Sequence, residues 1–339
     1  MTNKFPLFRL PYVALNEVLN HVRPVAILSL SLCSKRSKHL VKICQGPQKD
    51  INIELDVTEN VLQVNCNTFI SVTAVSTLPT NLKTVKIGSR VVPIKMKKRI
   101  LKTYWLDKKD GLREITKYTL DVFDRDLFSI EFPGRGHSLM SSNDVREWLE
   151  WIKTRQGKIR EFFLSYHKVD NDLLMYILES DIVTGVLHLS TTGSSEFRGP
   201  PPRPYSIDHL LLEEANWVTL DHLLAMDIKQ INLEQCSLTC QEINVFLKKW
   251  INGECSKRIN QLYVAIEDEV NNDVLLEGIE VNRRDPSLRR DYVSYDRFED
   301  IDGGLDVRRK EDGAMATIID DPVQLKILFW PDHKGIPYH

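Results

Sequence analysis

Residues 5–44 read FPLFRLPYVALNEVLNHVRPVAILSLSLCSKRSKHLVKIC, and their apolar spacing and breakers divide them into three short helices. Leu15, Val18, Leu19 and Val22 recur at i, i+3, i+4 and i+7, which sets four branched side chains on one stripe of a helix starting near Pro11. Pro24 lacks the N–H that a first helical position leaves unpaired anyway, so a second helix begins there, with Ile27, Leu28, Leu30 and Leu32 on more than one face. Ser34 is a candidate N-cap for a third helix, whose Lys35, Arg36, Lys38 and Lys42 face water and whose Leu40, Val41 and Ile43 face inward. Three helices in about forty residues lie near the size below which a chain needs a disulfide, a metal or a partner to fold. No metal-ligand pattern is present, so the surplus Leu, Ile and Val point to a surface that a second protein covers.

The same stretch resembles the F-box. The resemblance is carried by Leu10-Pro11, Val18-Leu19, Arg23-Pro24, Ile27-Leu28-Ser29-Leu30-Ser31-Leu32 and Ser34-Lys35-Arg36. Val13 stands where an acidic residue is frequent, and Ser37 where Trp is frequent. What the resemblance implies is docking on a Skp-type adaptor, and through it on a cullin, by Leu10, Pro11, Leu15, Val18, Leu19, Pro24, Ile27, Leu28 and Leu32. On that reading Leu28→Asp abolishes adaptor co-purification and leaves the C-terminal domain folded. The other reading of the stretch is a structural cap, packed on the next part of the chain.

Beyond Gly46-Pro47 the period changes. Ile51, Ile53, Leu55 and Val57 alternate with polar neighbours, and residues 61–64 and 69–72 come after Asn-containing turns as short antiparallel strands do. Residues 84–87, 91–94 and 118–132 add β-like runs, which makes 47–139 a strand-rich connector. Lys95, Lys97, Lys98, Arg99 and Lys102 form a basic cluster. With Asp107 and Asp110 close by and no interleaved aromatics, it reads as a solvated edge, the alternative being a phosphate or acidic-peptide contact.

From residue 140 helix and strand alternate. Ser141 or Ser142 caps a helix carrying Val145, Trp148, Leu149 and Ile152 that ends near Gly157. Strands are expected at 159–164, 183–189, 207–212, 228–233 and 259–266, and helices at 170–178, 219–226 and 239–251. The strand starts Ile159, Val183, Ile207, Ile228 and Ile259 lie 24, 24, 21 and 31 residues apart, and Ile231-Asn232-Leu233 echoes an L-x-L repeat core. Such units bury their apolar faces only by stacking, as an irregular leucine-rich-repeat-like β/α array whose strand face suits a peptide or protein. The run Gly199-Pro200-Pro201-Pro202-Arg203-Pro204 reads as a stiff loop, with a polyproline II ligand as its alternative. Residues 282–309, dense in charge, read as a mobile loop before a last hairpin.

Within this array, residues 216–224 (NWVTLDHLL), Ile231-Asn232-Leu233 and residues 244–250 (NVFLKKW) resemble the F-box associated domain, type 2, best over 207–266. Residues 312–318 (DGAMATI) and Leu328-Phe329-Trp330-Pro331 are similar to the strand pair ending many such chains. The resemblance implies target capture by residues 140–339 and adaptor docking by 1–46. Trp217 and Trp250 are read as packing residues, with exposed binding anchors as the alternative.

A formal charge of −2 over 339 residues gives no global field toward nucleic acid or anionic membrane. No apolar run reaches the roughly 18 residues of a membrane span. Cys33, Cys44, Cys66, Cys236, Cys240 and Cys255 lack disulfide or zinc spacing and read as reduced core thiols. The lone Gly134-Arg135-Gly136 and nine scattered histidines make no catalytic, cofactor or metal motif. The reading is therefore an α+β chain, cytoplasmic or nuclear, that catalyses nothing and serves as substrate-recognition subunit of an SCF-type ubiquitin ligase. The rival is a ligase-independent interaction scaffold whose N-terminal helices are a cap.

Overall fold

The three helices form where the sequence places them: α1 (Tyr12–Asn20), α2 (Pro24–Ser31, with Pro24 first) and α3 (Lys35–Cys44). The Ser34 hydroxyl caps α3 by accepting the Ser37 N–H at 3.0 Å. The computed structural model describes residues 6–44, 51–132, 140–165, 169–191, 193–266, 270–287, 289–293, 298–319 and 324–330. They fall into two compact units, Met1–Pro133 and Gly134–His339. Phe5, Gly46, Pro47, Gly134, Arg135, Gly136 and Pro331 lie outside the described residues.

In the first unit the chain continues through β1 (Ile53–Asp56), β2 (Val61–Val64), β3 (Thr68–Ala74), β4 (Lys83–Ile87), β5 (Arg90–Lys97) and β6 (Ile100–Trp105), then α4 (Lys108–Phe123) and β7 (Ser129–Phe132). The strands lie in the order β7-β1-β2-β3-β6-β5-β4. β7 runs parallel to β1 and β6 parallel to β3, and the other neighbours are antiparallel.

The largest departure from the sequence reading is α4, which occupies part of the run 118–132 expected as strand, up to Phe123. Asp107 accepts the Asp110 N–H at 2.7 Å and starts the helix. From there Leu112, Ile115, Thr119 and Val122 bury one stripe at helical spacing. The β-branched and aromatic residues of 118–123 imitate a strand, but the helical stripe matches the space against the sheet. β6, not foreseen, alternates Leu101, Thr103 and Trp105 inward. The basic cluster sits exposed around the β5–β6 turn, as a solvated edge does. The thiols divide: Cys44 and Cys236 are buried, whereas Cys33 and Cys66 are exposed and not core.

The second unit opens with α5 (Ser142–Gln156) and β8 (Ile159–Ser165), α6 (Asn171–Glu179) and β9 (Val183–Ser190), then β10 (His209–Leu212), α7 (Leu220–Ala225) and β11 (Gln230–Cys236). α8 (Cys240–Ile251), β12 (Gln261–Ile266) and the short α9 (Asn272–Leu275) complete the alternating part. β8 to β12 are neighbours in chain order and all parallel. Residues 282–309 correct the expected loop: they hold β13 (Asn282–Arg283), β14 (Arg289–Val293), β15 (Phe298–Asp302) and β16 (Leu305–Arg308). Tyr292, Ile301, Leu305 and Val307 are buried there, while Arg290 stacks over the Trp330 ring and Arg309 bonds Asp312, so these two charges are absorbed into folded structure. β17 (Met315–Ile319) and β18 (Gln324–Phe329) form the expected last hairpin, and β18 closes antiparallel on β12.

Helix starts in this unit rest on reciprocal caps. Ser141 pairs with Asp144 and Thr239 with Glu242, each side chain satisfying the other's backbone N–H. Ser141→Ala and Thr239→Ala are each expected to cost about 1 kcal/mol in urea unfolding of the full chain.

Candidate protein-interaction site

The N-terminal helices divide the nine expected docking residues into two sets. Leu15, Leu19, Ile27 and Leu28 are sealed inside, Leu19 and Leu28 with 0% exposure. Leu10, Pro24 and Leu32 are half-buried, Pro11 is exposed and Val18 keeps 40% exposure. An α-helix that turns Leu15 and Leu19 toward a neighbour turns Val13, Ala14 and Glu17 away from it and leaves Val18 at the flank, and all four of these are exposed. Val13, at 78%, is the most open large apolar residue of the chain's described part. The outer side of α1 thus remains available, together with Ile43 of α3, which was expected inward and is 45% exposed, and the inner stripe is core.

What seals the inner stripe is the chain itself. α2 packs on α4 and β3, and α3 packs on α4. The buried Ser31 hydroxyl meets the Tyr118 hydroxyl at 3.0 Å, and Lys38 lies over the Tyr118 ring at 4.4 Å. Asp121 of α4 takes Lys38 at 2.6 Å and Lys42 at 2.8 Å, two residues one turn apart on α3. Burial on its own pushes the Asp121 carboxyl up, but the hydrogen bonds from Lys38 and Lys42 outweigh it and hold its pKa below the ordinary value. The hydrogen bond to Asp121 in turn raises Lys42, and burial raises Tyr118. Val25, Ile27 and Leu28 of α2 are therefore covered within the first unit, whereas Pro24, Leu30 and Leu32 stay half-buried. Leu28→Asp accordingly places a charge in the core and reports on folding rather than docking.

In the second unit, a cavity of about 290 Å³ lies at the carboxyl ends of β9 and β10, lined by Thr191, Gly193, Ser194, Glu214, Asn216 and Trp217. Another of about 580 Å³ sets Lys248, Arg308 and Lys310 against Glu280. Among the described residues no group of three or more His, Cys, Asp and Glu can hold a metal ion, and no helix is long and apolar enough to cross a membrane. Trp250 is core, its ring tilted against that of Phe329 with centroids 5.0 Å apart. Trp217 is half-buried and meets Phe197 and His222 edge to face at 5.9 and 5.3 Å. His222 fixes the proline run: Nε2 donates to the Pro200 carbonyl at 2.8 Å while Nδ1 accepts the Thr219 N–H at 3.2 Å. Gly199–Pro204 is thereby a clamped loop.

Family comparison agrees with both halves of this geometry. A family model described as "F-box domain" matches residues 7–48, and one described as "F-box associated" matches residues 204–264. The chain carries an F-box and an F-box associated domain. Among curated proteins it is 23% identical to the Caenorhabditis elegans "Uncharacterized protein F59B2.8" over 356 aligned positions, 95% of this chain and 76% of that protein. It is also 23% identical to the C. elegans "E3 ubiquitin-protein ligase hecw-1", over 97% of this chain but only 28% of that protein. A third C. elegans relative, "Uncharacterized protein F59B2.9", is 23% identical over 93% of this chain and 75% of its own length. No solved structure matches the chain.

The F-box helices α1–α3 and the F-box associated stretch from β10 to β12 are thus the two parts of the chain with a family identity, and both are domains of adaptor rather than catalytic type. The residues that sequence reasoning missed are Tyr118 and Asp121, which join the F-box helices to the rest of the first unit. Lys38 and Lys42 one turn apart were the visible half of that signal. Because the Asp121 pKa is lowered on folding, its contribution is complete above the ordinary value of 3.8 and is lost as the pH falls through the lower folded value. The thermal-stability gap between wild type and Asp121→Asn is therefore expected to be full at neutral pH and to close under acid. At Gly199, φ is +68° and a Cβ would meet the Trp217 ring at 2.0 Å, so Gly199→Ala is expected to destabilise by about 2 kcal/mol or more in denaturant unfolding.

Proposed function

We propose that this protein is the substrate-recognition subunit of an SCF-type ubiquitin ligase. It docks a Skp-type adaptor, and through it a cullin, by the F-box, and holds a target protein by the C-terminal unit. The observation that carries the reading is the pairing in one chain of an F-box match at 7–48 with an F-box associated match at 204–264. The relative named as an E3 ubiquitin-protein ligase supports the same pathway. No catalytic residue is needed: a target held near a charged conjugating enzyme meets it at the effective concentration any tether supplies. The docking face we assign is the outer side of α1 and its approach, Leu10, Pro11, Val13 and Val18, with Pro24 and Leu32 at its edge. Leu15, Leu19, Ile27 and Leu28 hold that face in place from within.

On this reading the array of parallel strands is leucine-rich-repeat-like, residues 1–46 are the docking part, 140–339 the capture part, and the place of work is cytoplasm or nucleus. The scaffold reading has one observation in its favour, the sealing of α2 and α3 by α4, which is how a cap behaves. Adaptor binding separates the two. Val13→Asp with Val18→Asp, both at exposed positions, is expected to abolish co-purification of the Skp-type adaptor while the thermal unfolding of the chain is unchanged. Leu28→Asp is expected to lose the adaptor and the fold of residues 6–132 together. Full adaptor retention by the Val13/Val18 double variant contradicts the docking face, and no adaptor binding by the wild type returns the scaffold reading.

A further inference from the structure

We infer that the open face of the β8–β12 sheet receives an extended target segment bearing lysine or arginine beside an apolar residue. This rests on the proposal that the C-terminal unit captures the target. Side chains along a strand alternate, so the sheet has two sides. One row across it, Phe162, Leu187, Leu210, Ile231 and Leu262, is at most 2% exposed. The row one residue further along each strand, Phe163, His188, Leu211, Asn232 and Tyr263, lies on the opposite side and is only half-buried. That side is open at this row, while the row two residues earlier on it, Val186, His209, Gln230 and Gln261, is at most 8% exposed.

Its chemistry is one-sided. Two residues beyond Leu211 and Asn232 stand Glu213 and Glu234 on neighbouring strand ends. Glu213 binds the Ser190 hydroxyl and lies 3.3 Å from His188 Nε2. Glu234 is exposed, and its pKa is raised, by burial first and then by the charge of Glu213. The same face carries two acceptor oxygens that receive no hydrogen bond from the described residues, Asn232 Oδ1 and Gln261 Oε1. Gln261 is 7% exposed and lies two residues before Tyr263, hence on the same side. Against these acceptors stands Lys326, paired in register with Tyr263 on the outer side of β12. Two like-charged carboxylates at the end of a half-buried row, with buried unpartnered acceptors behind it, fit a ligand that brings positive charge.

The apolar members supply the rest of the specificity. Phe163 packs edge to face on His188 at 5.9 Å, and Leu211 and Tyr263 continue the row. A lysine or arginine lays its methylene stem along such a row and keeps its head at the carboxylates. A phosphorylated or acidic segment meets repulsion from Glu213 and Glu234 instead.

The test is fluorescence anisotropy of the full chain with three sets of labelled twelve-residue peptides that share apolar positions and differ in carrying Arg and Lys, Glu, or Ser. The basic set is expected to bind, more weakly as salt rises. Glu234→Gln, at an exposed position, and Glu213→Gln, which keeps an oxygen for Ser190, are each expected to weaken it about two- to five-fold. Phe163→Ser is expected to weaken it as well. Equal binding of the acidic or neutral set, binding by no set, or affinity unchanged in both Gln variants overturns the inference. Adaptor co-purification and target ubiquitination by the same preparation then show separately whether the receptor reading survives that failure.

Discussion

The pairing of α3 with α4 decides what the N-terminal forty residues can be. Asp121 stands between Lys38 and Lys42, and Ser31 and Tyr118 share a hydrogen bond where α2 meets the same helix. These polar contacts set the register at which the apolar side chains of α2 come to rest on α4 and β3. The dominant stabilisation there is burial: Val25, Ile27 and Leu28 are all at 7% exposure or less, worth roughly 1.5–3 kcal/mol each. The ion pairs are part-exposed and contribute register more than energy. A three-helix unit too small to stand alone is in this way made one body with a sheet, and the side of α1 that faces neither is left to something else.

Helix boundaries in the F-box and the strand-helix beat after residue 140 were legible because caps and apolar period agreed. Ser34 and Ser141 cap the helices expected of them, and Asp170 and Thr239, where helices were expected to begin, prove to be caps as well. Two kinds of feature were not legible. The segment 118–123 combines strand-favouring composition with helical spacing, and only the sheet behind it settles which counts. Residues 282–309 look disordered by charge, yet Arg290 lies over Trp330 and Arg309 over Trp250, contacts that join residues far apart in sequence. The expected docking residues divide for the same reason. Leu10, Pro11, Leu15, Val18, Leu19, Pro24, Ile27, Leu28 and Leu32 form one apolar list in sequence, and tertiary packing alone divides it into core and surface.

The two units apply one rule to different ends. In the first, helices cover one another and a sheet, and the outer side of α1 keeps Tyr12, Val13 and Val18 exposed. In the second, the parallel strands bury Phe162, Leu187, Leu210, Ile231 and Leu262 on one side, and leave a mixed apolar and acidic row on the other. Each unit thus keeps one surface incompletely satisfied by its own chain. The proposed role, holding an adaptor and a target at once, requires that and little more.

Hydrogen–deuterium exchange of the free chain, and of the chain with a Skp-type adaptor, tests this account most directly. The amides of α2 and α3 are expected to exchange as slowly as those of β1 to β3 before any adaptor is added, because α4 already covers them, and the adaptor is expected to add protection chiefly in α1. Fast exchange of α2 and α3 in the free chain, slowed only by the adaptor, would contradict it.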